Sequence, residues 1–292
     1  MIMADTNWPV ITVVTPSFNQ GQYLERAILS VIGQNYPALD YIVMDGGSTD
    51  QSVEIIKKYQ KQFSYWQSQK DGGQSAAINA GFARGRGTIF AWLNSDDTYL
   101  PGALFRAAQM LDPQKPQLLA GNCLTVNEAE FCASASDVRR RAVQADLRLL
   151  DYLIQPSVFW TRAAWEKTGP LDASLHYTFD WDWFIRAQKT GVEFLYCDDY
   201  LAYYRVHAAH KTGTGGEKRD AEVAQIYSRH VDSDCARLYS LWAANRYGVR
   251  KCRSRLKKIG LKRFAGFYFK LRYAALTKNL DAGQIAMILA AL

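Results

Sequence analysis

The apolar run Phe90-Ala91-Trp92-Leu93 leads directly into Asn94-Ser95-Asp96-Asp97. Two adjacent carboxylates at the end of a buried strand are unfavourable alone, because desolvation and mutual repulsion both disfavour their charged forms. One reading makes them turn residues, with Asp97 capping the helix that follows. The other makes them hard oxygen ligands for Mg²⁺ or Mn²⁺ bridging a diphosphate, which relieves the charge density. Asp45 ends a second apolar run, just before Gly46-Gly47. It is either a turn residue or a hydrogen-bond acceptor for a base or ribose. Asp50 reads as a carboxylate at the start of a helix, where the macrodipole favours it.

Asp180 and Asp182 lie in "TFDWDWFIRA". Residues two apart do not share a helix face, so they should do different work. Asp182 can pair with Arg186 one turn on. Asp180 stands among Phe179, Trp181 and Trp183, surroundings that would raise a carboxylate towards a useful general base. "YYRVHAAHKTGTGG" places Arg205, His207, His210 and Lys211 after a strand and before glycines. These residues read either as a solvated basic loop or as a lid over phosphates, with His207 available to a metal.

The elements that position these groups follow from periodicity. Val10–Val14 reads as a strand ended by Pro16. Leu24, Ala27, Ile28, Val31 and Ile32 then mark one face of a helix. Tyr41–Met44 is a second strand, and Ser48 with Gln51 forms a capping-box signature for the next helix. Phe63–Trp66 and Thr88–Leu93 read as further strands, with a helix between them. Pro101 suits the first turn of a helix over "PGALFRAAQML". Strand and helix alternate four times, which implies a mostly parallel sheet with helices on both faces. Ligands of such sheets bind beyond the carboxyl ends of the strands. Thr15–Asn19, Asp45 and Asp96 therefore meet at one edge. Past residue 115 the pattern weakens to a strand and hairpin at "QLLAGNCLTV", a helix at "FDWDWFIRAQKTG" stopped by Gly191, and strands at "VEFLYC" and "YLAYYRVH". "GRG" (Gly85–Gly87) lacks the spacing of a dinucleotide fingerprint.

At 292 residues, 48% apolar and 22% charged, the chain suits a folded α/β protein rather than a disordered one. Five widely spaced cysteines without a Cys-x-x-Cys pair argue against a zinc ribbon or a disulfide scaffold. No basic-then-apolar leader and no apolar run approaching ~18 residues is seen, which predicts a cytoplasmic protein.

"ITVVTPSFNQGQYLERAILSVIGQNYP", "DYIVMDGGSTDQS", "KDGGQSAAINAGFARGRGTIFAWLNSDDTYLPGAL" and "FDWDWFIRA" together resemble the family 2 glycosyltransferases of bacterial surface-polysaccharide synthesis. The resemblance spans about Pro9 to Gly213. It implies a GT-A fold and inverting transfer of a sugar from a nucleotide-diphosphate sugar to a glycan or lipid-linked acceptor. It points to Thr15, Pro16, Asp45 and Asp71 for the nucleoside. The family's D-x-D motif reads Asn94-Ser95-Asp96 here, so an amide replaces the first carboxylate. Asp96 becomes the main expected metal ligand, with Asp97 and His207, and Asn94 and Ser95 are expected at the nucleotide sugar. Phe179 replaces the glutamate of the family's E-D motif and leaves Asp180 as the expected base. Arg205 and Lys211 would offset charge on the leaving diphosphate. The expected cofactor is Mn²⁺ or Mg²⁺.

The expected domains are a catalytic unit over residues 1–215, with a nucleotide-sugar half at about 9–115 and an acceptor half at about 116–215, and a basic helical extension over 216–292. From Cys235 onward there are thirteen Lys/Arg and one acidic residue, which leaves the preceding part net negative. The stretch 250–273 has ten Lys/Arg among aromatic and aliphatic residues. It reads as a solvated helix or as a basic amphipathic element on anionic lipid at the inner face of the plasma membrane. No nucleic-acid module accompanies it. A competing reading is a non-catalytic nucleotide-sugar-binding or assembly protein, with Asn94 and Phe179 as marks of lost chemistry. A sugar nucleotidyltransferase would need a glycine-rich basic loop after the first strand, and "TPSFNQGQY" is not one.

Overall fold

The computed structural model describes residues 8–129, 131–208, 210–258 and 274–290. They divide into two compact units: Met1–Arg140 with Leu153–His210, and Arg141–Tyr152 with Lys211–Leu292. The first unit is built on one sheet with the strand order β3-β2-β1-β4-β8-β6-β9-β5. β1 (Ile11–Ser17), β2 (Leu39–Asp45), β3 (Tyr65–Ser68) and β4 (Ile89–Trp92) pair in parallel. β8 (Val158–Thr161) joins antiparallel to both β4 and β6 (Gln117–Val126). β6 pairs in parallel with the long β9 (Glu193–Arg205), which is one irregular strand where the sequence suggests two. β7 (Cys132–Ala135) folds back on β6 as the expected hairpin.

Alternating side chains send each strand to two cores. Ile11, Val13, Ile89 and Ala91 pack with Leu24, Ala27, Ile28 and Val31 of α1 (Gly21–Ile32), the apolar face read from the sequence. Phe90 and Trp92 face the other way. Phe90 stacks on Phe82 of α3 (Gln74–Arg84) at 4.8 Å, and Trp92 meets Trp160 at 5.2 Å. Gly81 lets α3 approach this face closely, since a Cβ there would lie 2.6 Å from Val14.

Three local expectations change. β1 continues through Pro16 to Ser17, because its pairing with β4 ends at Val14 and the missing N–H breaks no ladder there. Ser48 does not cap α2 (Ser52–Tyr59); Asp50 accepts from Ser52 N at 3.0 Å, and Ser48 is engaged elsewhere. Pro101 lies before α4 (Ala103–Met110), whose start is delayed because Thr98–Tyr99 forms β5 against β9.

The "GRG" segment is a tight entry into β4. The Asp40 carboxylate, at the start of β2, accepts from Thr12 Oγ1 and Arg86 N, each at 2.7 Å. Thr12 Oγ1 in turn accepts from Gly87 N at 2.8 Å. A Cβ on Gly87 would sit 2.4 Å from Thr12 N.

In the second unit, helices Gly216–His230 and Ser233–Lys258 bury Val223, Ile226, Tyr227, Leu238 and Tyr239. Tyr227 Oη donates to Leu149 O at 2.8 Å. The side chains of the basic stretch 250–273 lie outside the described residues.

Candidate active site

The loops after β1, β2 and β4 do meet at one edge. Ser17 and Asp45 are register partners, and Gly46 N donates to Ser17 O at 2.9 Å. Asp45 is fully buried. Its Oδ2 accepts from Gly47 N (3.1 Å), Ser48 N (2.8 Å) and Ser68 Oγ (2.7 Å), and its Oδ1 from Ser48 Oγ (2.5 Å). The carboxylate therefore organises the loop, in place of the base or ribose contact read from the sequence. Ser48 Oγ also accepts from Asn19 N at 2.8 Å, while Asn19 Oδ1 accepts from Thr49 N at 2.8 Å. This holds Asn19 in the left-handed region, φ 51°. It leaves the neighbouring Phe18 ring 63% exposed at the edge. Asp71 arrives from the loop after β3 and lies over Gly46, where a Cβ would be 3.1 Å from Asp71 Oδ2. Its Oδ1 accepts from Gly73 N at 2.7 Å.

The Asn94–Asp97 loop is tied on all sides. Asn94 Oδ1 accepts from Gln74 Nε2 at 2.7 Å. Asn94 Nδ2 donates to Asp97 Oδ2 and to Gln155 Oε1, both at 3.3 Å. Gln155 Nε2 donates to Trp92 O at 2.8 Å, and Ser95 Oγ donates to Gln20 Oε1. Asp96 Oδ2 lies 3.0 Å from His207 Nε2. The Tyr23 ring covers His207 at 4.7 Å, with the Arg205 guanidinium 5.5 Å from its centre. Burial, reinforced by Glu128, raises the Tyr23 phenol above its ordinary value.

Several expected ligand-binding side chains face inward instead. Asp97 is buried and accepts from Arg205 N at 3.0 Å. Burial first, and Asp96 second, push its carboxyl well above the usual range. This enclosure gives Asp97 a structural task in place of the metal-ligand role read from the sequence. Thr15 is buried and shares a 3.0 Å hydrogen bond with Tyr41 Oη; Pro16 is buried within β1, and Ser95 is buried against Gln20. Arg205 is 4% exposed, and its Nε donates to Asp96 O at 3.1 Å. Arg205 therefore fastens the Asp96 loop rather than standing in a solvated basic loop. Lys211 begins the helix Lys211–Thr214, in the second unit.

Asp180 stands in the first turn of α7 (Phe179–Lys189), which follows α5 (Val138–Gln144) and α6 (Arg162–Thr168); it is half-buried, with Oδ1 accepting from Trp181 N at 2.8 Å. Phe179 is buried against Trp92 at 6.1 Å, which ties the start of α7 to the end of β4. The surrounding rings turn into the core: Trp183 packs on Trp160 at 4.8 Å. Asn79 anchors the preceding loop, exchanging two hydrogen bonds with the Leu171 backbone (2.9 and 3.0 Å). Asp182 pairs with Arg186 at 2.7 Å, as its spacing predicts, and Arg186 clamps Thr168 O and Pro170 O.

Residues 12–150 match the family model of glycosyl transferase family 2. This chain carries a family 2 glycosyltransferase domain. An uncharacterized glycosyltransferase of Rickettsia prowazekii is 28% identical over 221 residues, which cover 70% of this chain and 67% of that protein. The putative teichuronic acid biosynthesis glycosyltransferase TuaG of Bacillus subtilis is 34% identical over 98 residues, 32% of this chain and 39% of that protein. Among solved structures, S. aureus TarS 1–349 in complex with UDP-GlcNAc superposes with a TM-score of 0.60 at 16% identity, covering 97% of this chain and 90% of that one. The mannosyltransferase PcManGT of Pyrobaculum calidifontis, in complex with GDP-Man and Mn²⁺, gives 0.62 at 14% identity, covering 98% and 86%. The fold of the glycosyltransferase is thus GT-A, as the motifs imply.

Two features of the glycosyltransferase's site have no counterpart in the reading of its sequence. Phe18 is one, although its place just past an apolar strand is a signal. The other is the amide set Gln20, Gln74 and Gln155. Isolated glutamines have no pattern of their own, and only the fold collects them.

Asp96 and His207 can offer one oxygen and one nitrogen to a divalent cation. Among the described residues no cluster of three or more His, Cys, Asp or Glu is placed to hold a metal. A two-donor site fits a cation that takes its other ligands from substrate phosphates and water.

Proposed function

We propose that this glycosyltransferase is an inverting enzyme that moves a sugar from a nucleotide-diphosphate sugar to a hydroxyl of a glycan or lipid-linked acceptor in cell-surface polysaccharide synthesis. The convergence of Asp71 and the Asp96–His207 pair at one sheet edge, beside the loop that buried Asp45 organises, carries this reading, with Asp180 on a helix anchored to the same β4 end. The similarity to structures holding UDP-GlcNAc or GDP-Man supports the donor class, and the similarity to TuaG, named for teichuronic acid biosynthesis, supports the polysaccharide setting. In this reading Phe18 offers a flat apolar face to the base, and Asp71 accepts from the base or ribose.

Asp180 takes the proton of the acceptor hydroxyl. The freed oxygen attacks the anomeric carbon opposite the diphosphate, so one C–O bond forms as the other breaks and the configuration inverts. The nucleoside diphosphate leaves with the electron pair. Arg205, buried beside Asp96, supplies fixed positive charge. Asp96 and His207 would hold a divalent cation, which when bound neutralises charge on the diphosphate.

The test is nucleoside diphosphate release from a panel of UDP-, GDP- and dTDP-sugars, with a lipid extract as acceptor source, with and without Mn²⁺. Turnover of one donor, stimulated by Mn²⁺ and lost in Asp96→Ala and Asp180→Asn, is expected. Turnover that survives Asp180→Asn would remove Asp180 from the mechanism. Failure of every donor to bind would overturn the site.

A further inference from the structure

The amide at position 94 is the chain's departure from the D-x-D pattern. Asn94 uses both ends of its amide. The carbonyl accepts from Gln74, and the NH₂ donates to two buried acceptors, Asp97 Oδ2 and Gln155 Oε1. A carboxylate at 94 has no N–H to give, so both acceptors would be left facing another acceptor. Gln155 cannot easily turn to help, because its own NH₂ is bound to Trp92 O.

The bonds continue past Asn94 to the cation candidates. Asp97 Oδ1 accepts from Arg205 N, Arg205 Nε donates to Asp96 O, and Asp96 Oδ2 meets His207, two residues on from Arg205. We propose that Asn94 is a positioning residue: its amide fixes Asp97, and through Arg205 sets the Asp96–His207 pair, without itself touching cation or diphosphate. This replaces the nucleotide-sugar contact expected of Asn94. It rests on the reading of Asp96 and His207 as the cation's protein ligands. On this view the Asn-x-Asp sequence is not a decayed D-x-D, because the loop's hydrogen bonding requires the amide.

The experiment uses the full chain with Asn94→Asp, Asn94→Ala, the swapped pair Asn94→Asp/Asp97→Asn, and Asp96→Ala as control. Tm is measured, together with Mn²⁺ binding by electron paramagnetic resonance in the presence of UDP. In the swap, the amide moved to position 97 can donate to the carboxylate moved to position 94 and still accept from Arg205 N. That carboxylate can in turn accept from Gln74. Asn94→Asp should lower Tm by several degrees without tightening Mn²⁺ binding, and the swap should restore the part of the loss that belongs to position 97, while Gln155 Oε1 still faces a carboxylate. Asn94→Ala should weaken Mn²⁺ binding at least about tenfold, as loss of an outer partner does at metal sites. Tighter Mn²⁺ binding by Asn94→Asp at unchanged Tm would make position 94 a ligand position and overturn the proposal. A swap as unstable as Asn94→Asp alone, or Mn²⁺ binding unmoved in Asn94→Ala, would overturn it too. Wild type that binds no Mn²⁺ would overturn both this proposal and the cation reading of Asp96. Wild-type binding lost in Asp96→Ala but intact in Asn94→Ala would overturn this proposal alone.

Discussion

Asp180 and Asp182 show how two identical residues acquire different tasks. Asp182 is buried and paired with Arg186, which clamps the backbone around Gly169. Asp182→Ala removes the partner of a largely enclosed guanidinium and should destabilise the protein by about 3 kcal/mol, read as a lower midpoint in urea. Asp180 is half-buried at the helix start. Asp180→Asn is nearly isosteric and should leave that midpoint unchanged, while lowering kcat on the order of 10²–10⁴-fold at unaltered donor affinity. A fall in stability equal to that of Asp182→Ala would make Asp180 a structural residue. Their i, i+2 spacing is enough to assign them to different faces. Which one the core encloses depends on α7 packing against the loop before it.

At the scale of elements, the strands are held in register, at the end opposite the site, by the buried carboxylate of Asp40. Burial alone would raise Asp40, but hydrogen bonds from Arg86 N, Ser64 and Thr12, with the Arg86 charge, leave it below its ordinary value. A depressed folded value contributes stability that is present above the unfolded pKa, about 3.9, and lost as pH falls through the folded value. Asp40→Asn should therefore cost about 2 kcal/mol near neutral pH. The gap in Tm between wild type and variant should close as pH drops below about 4; a gap that stays constant down to pH 3 would contradict this account. Gly87→Ala tests the same junction sterically, since Thr12 N leaves no room for a methyl group. A loss of about 1–3 kcal/mol is expected in chemical denaturation. The alternation of strands and helices is legible because each strand is a short apolar run between turn residues. The capping box and the Pro101 helix start mislead for a physical reason: Ser48 is drawn to Asp45, and Thr98–Tyr99 is drawn to β9. Both are tertiary partners that local sequence does not contain.

For the whole molecule, charge is divided unevenly along the chain. From Cys235 onward thirteen Lys/Arg stand against one acidic residue, and the preceding part is net negative. No helix among the described residues is long and apolar enough to cross a membrane. A basic, aromatic-rich stretch at 250–273 suits attraction to anionic headgroups, worth ~1 kcal/mol per Lys or Arg near the surface. The full chain should sediment with phosphatidylserine-containing vesicles and not with neutral ones. Binding should fade between about 0.1 and 1 M salt, as the screening length shrinks from ~10 to ~3 Å. Replacing Lys251, Arg253, Lys257 and Lys258 by glutamine should weaken it; equal binding to both vesicle types would dismiss the membrane role.

The class of fold, the family and the edge at which the candidate residues meet are legible in the order of residues alone. The fold class and the edge follow from periodicity and from loops that every parallel sheet brings together, and the family from the resemblance of the four motifs. The sequence also placed Asp96, His207 and Asp180 among the residues to watch. Which way each side chain points is settled by the folded chain. It turned Asp97, Thr15, Ser95 and Arg205 inward, paired Asp96 with His207 across more than a hundred residues, and closed Gln74, Asn94 and Gln155 into one hydrogen-bonded set. The reason is burial. A polar side chain in water needs no particular partner, but one enclosed by the fold must find its hydrogen bonds there, and those partners come from distant parts of the chain.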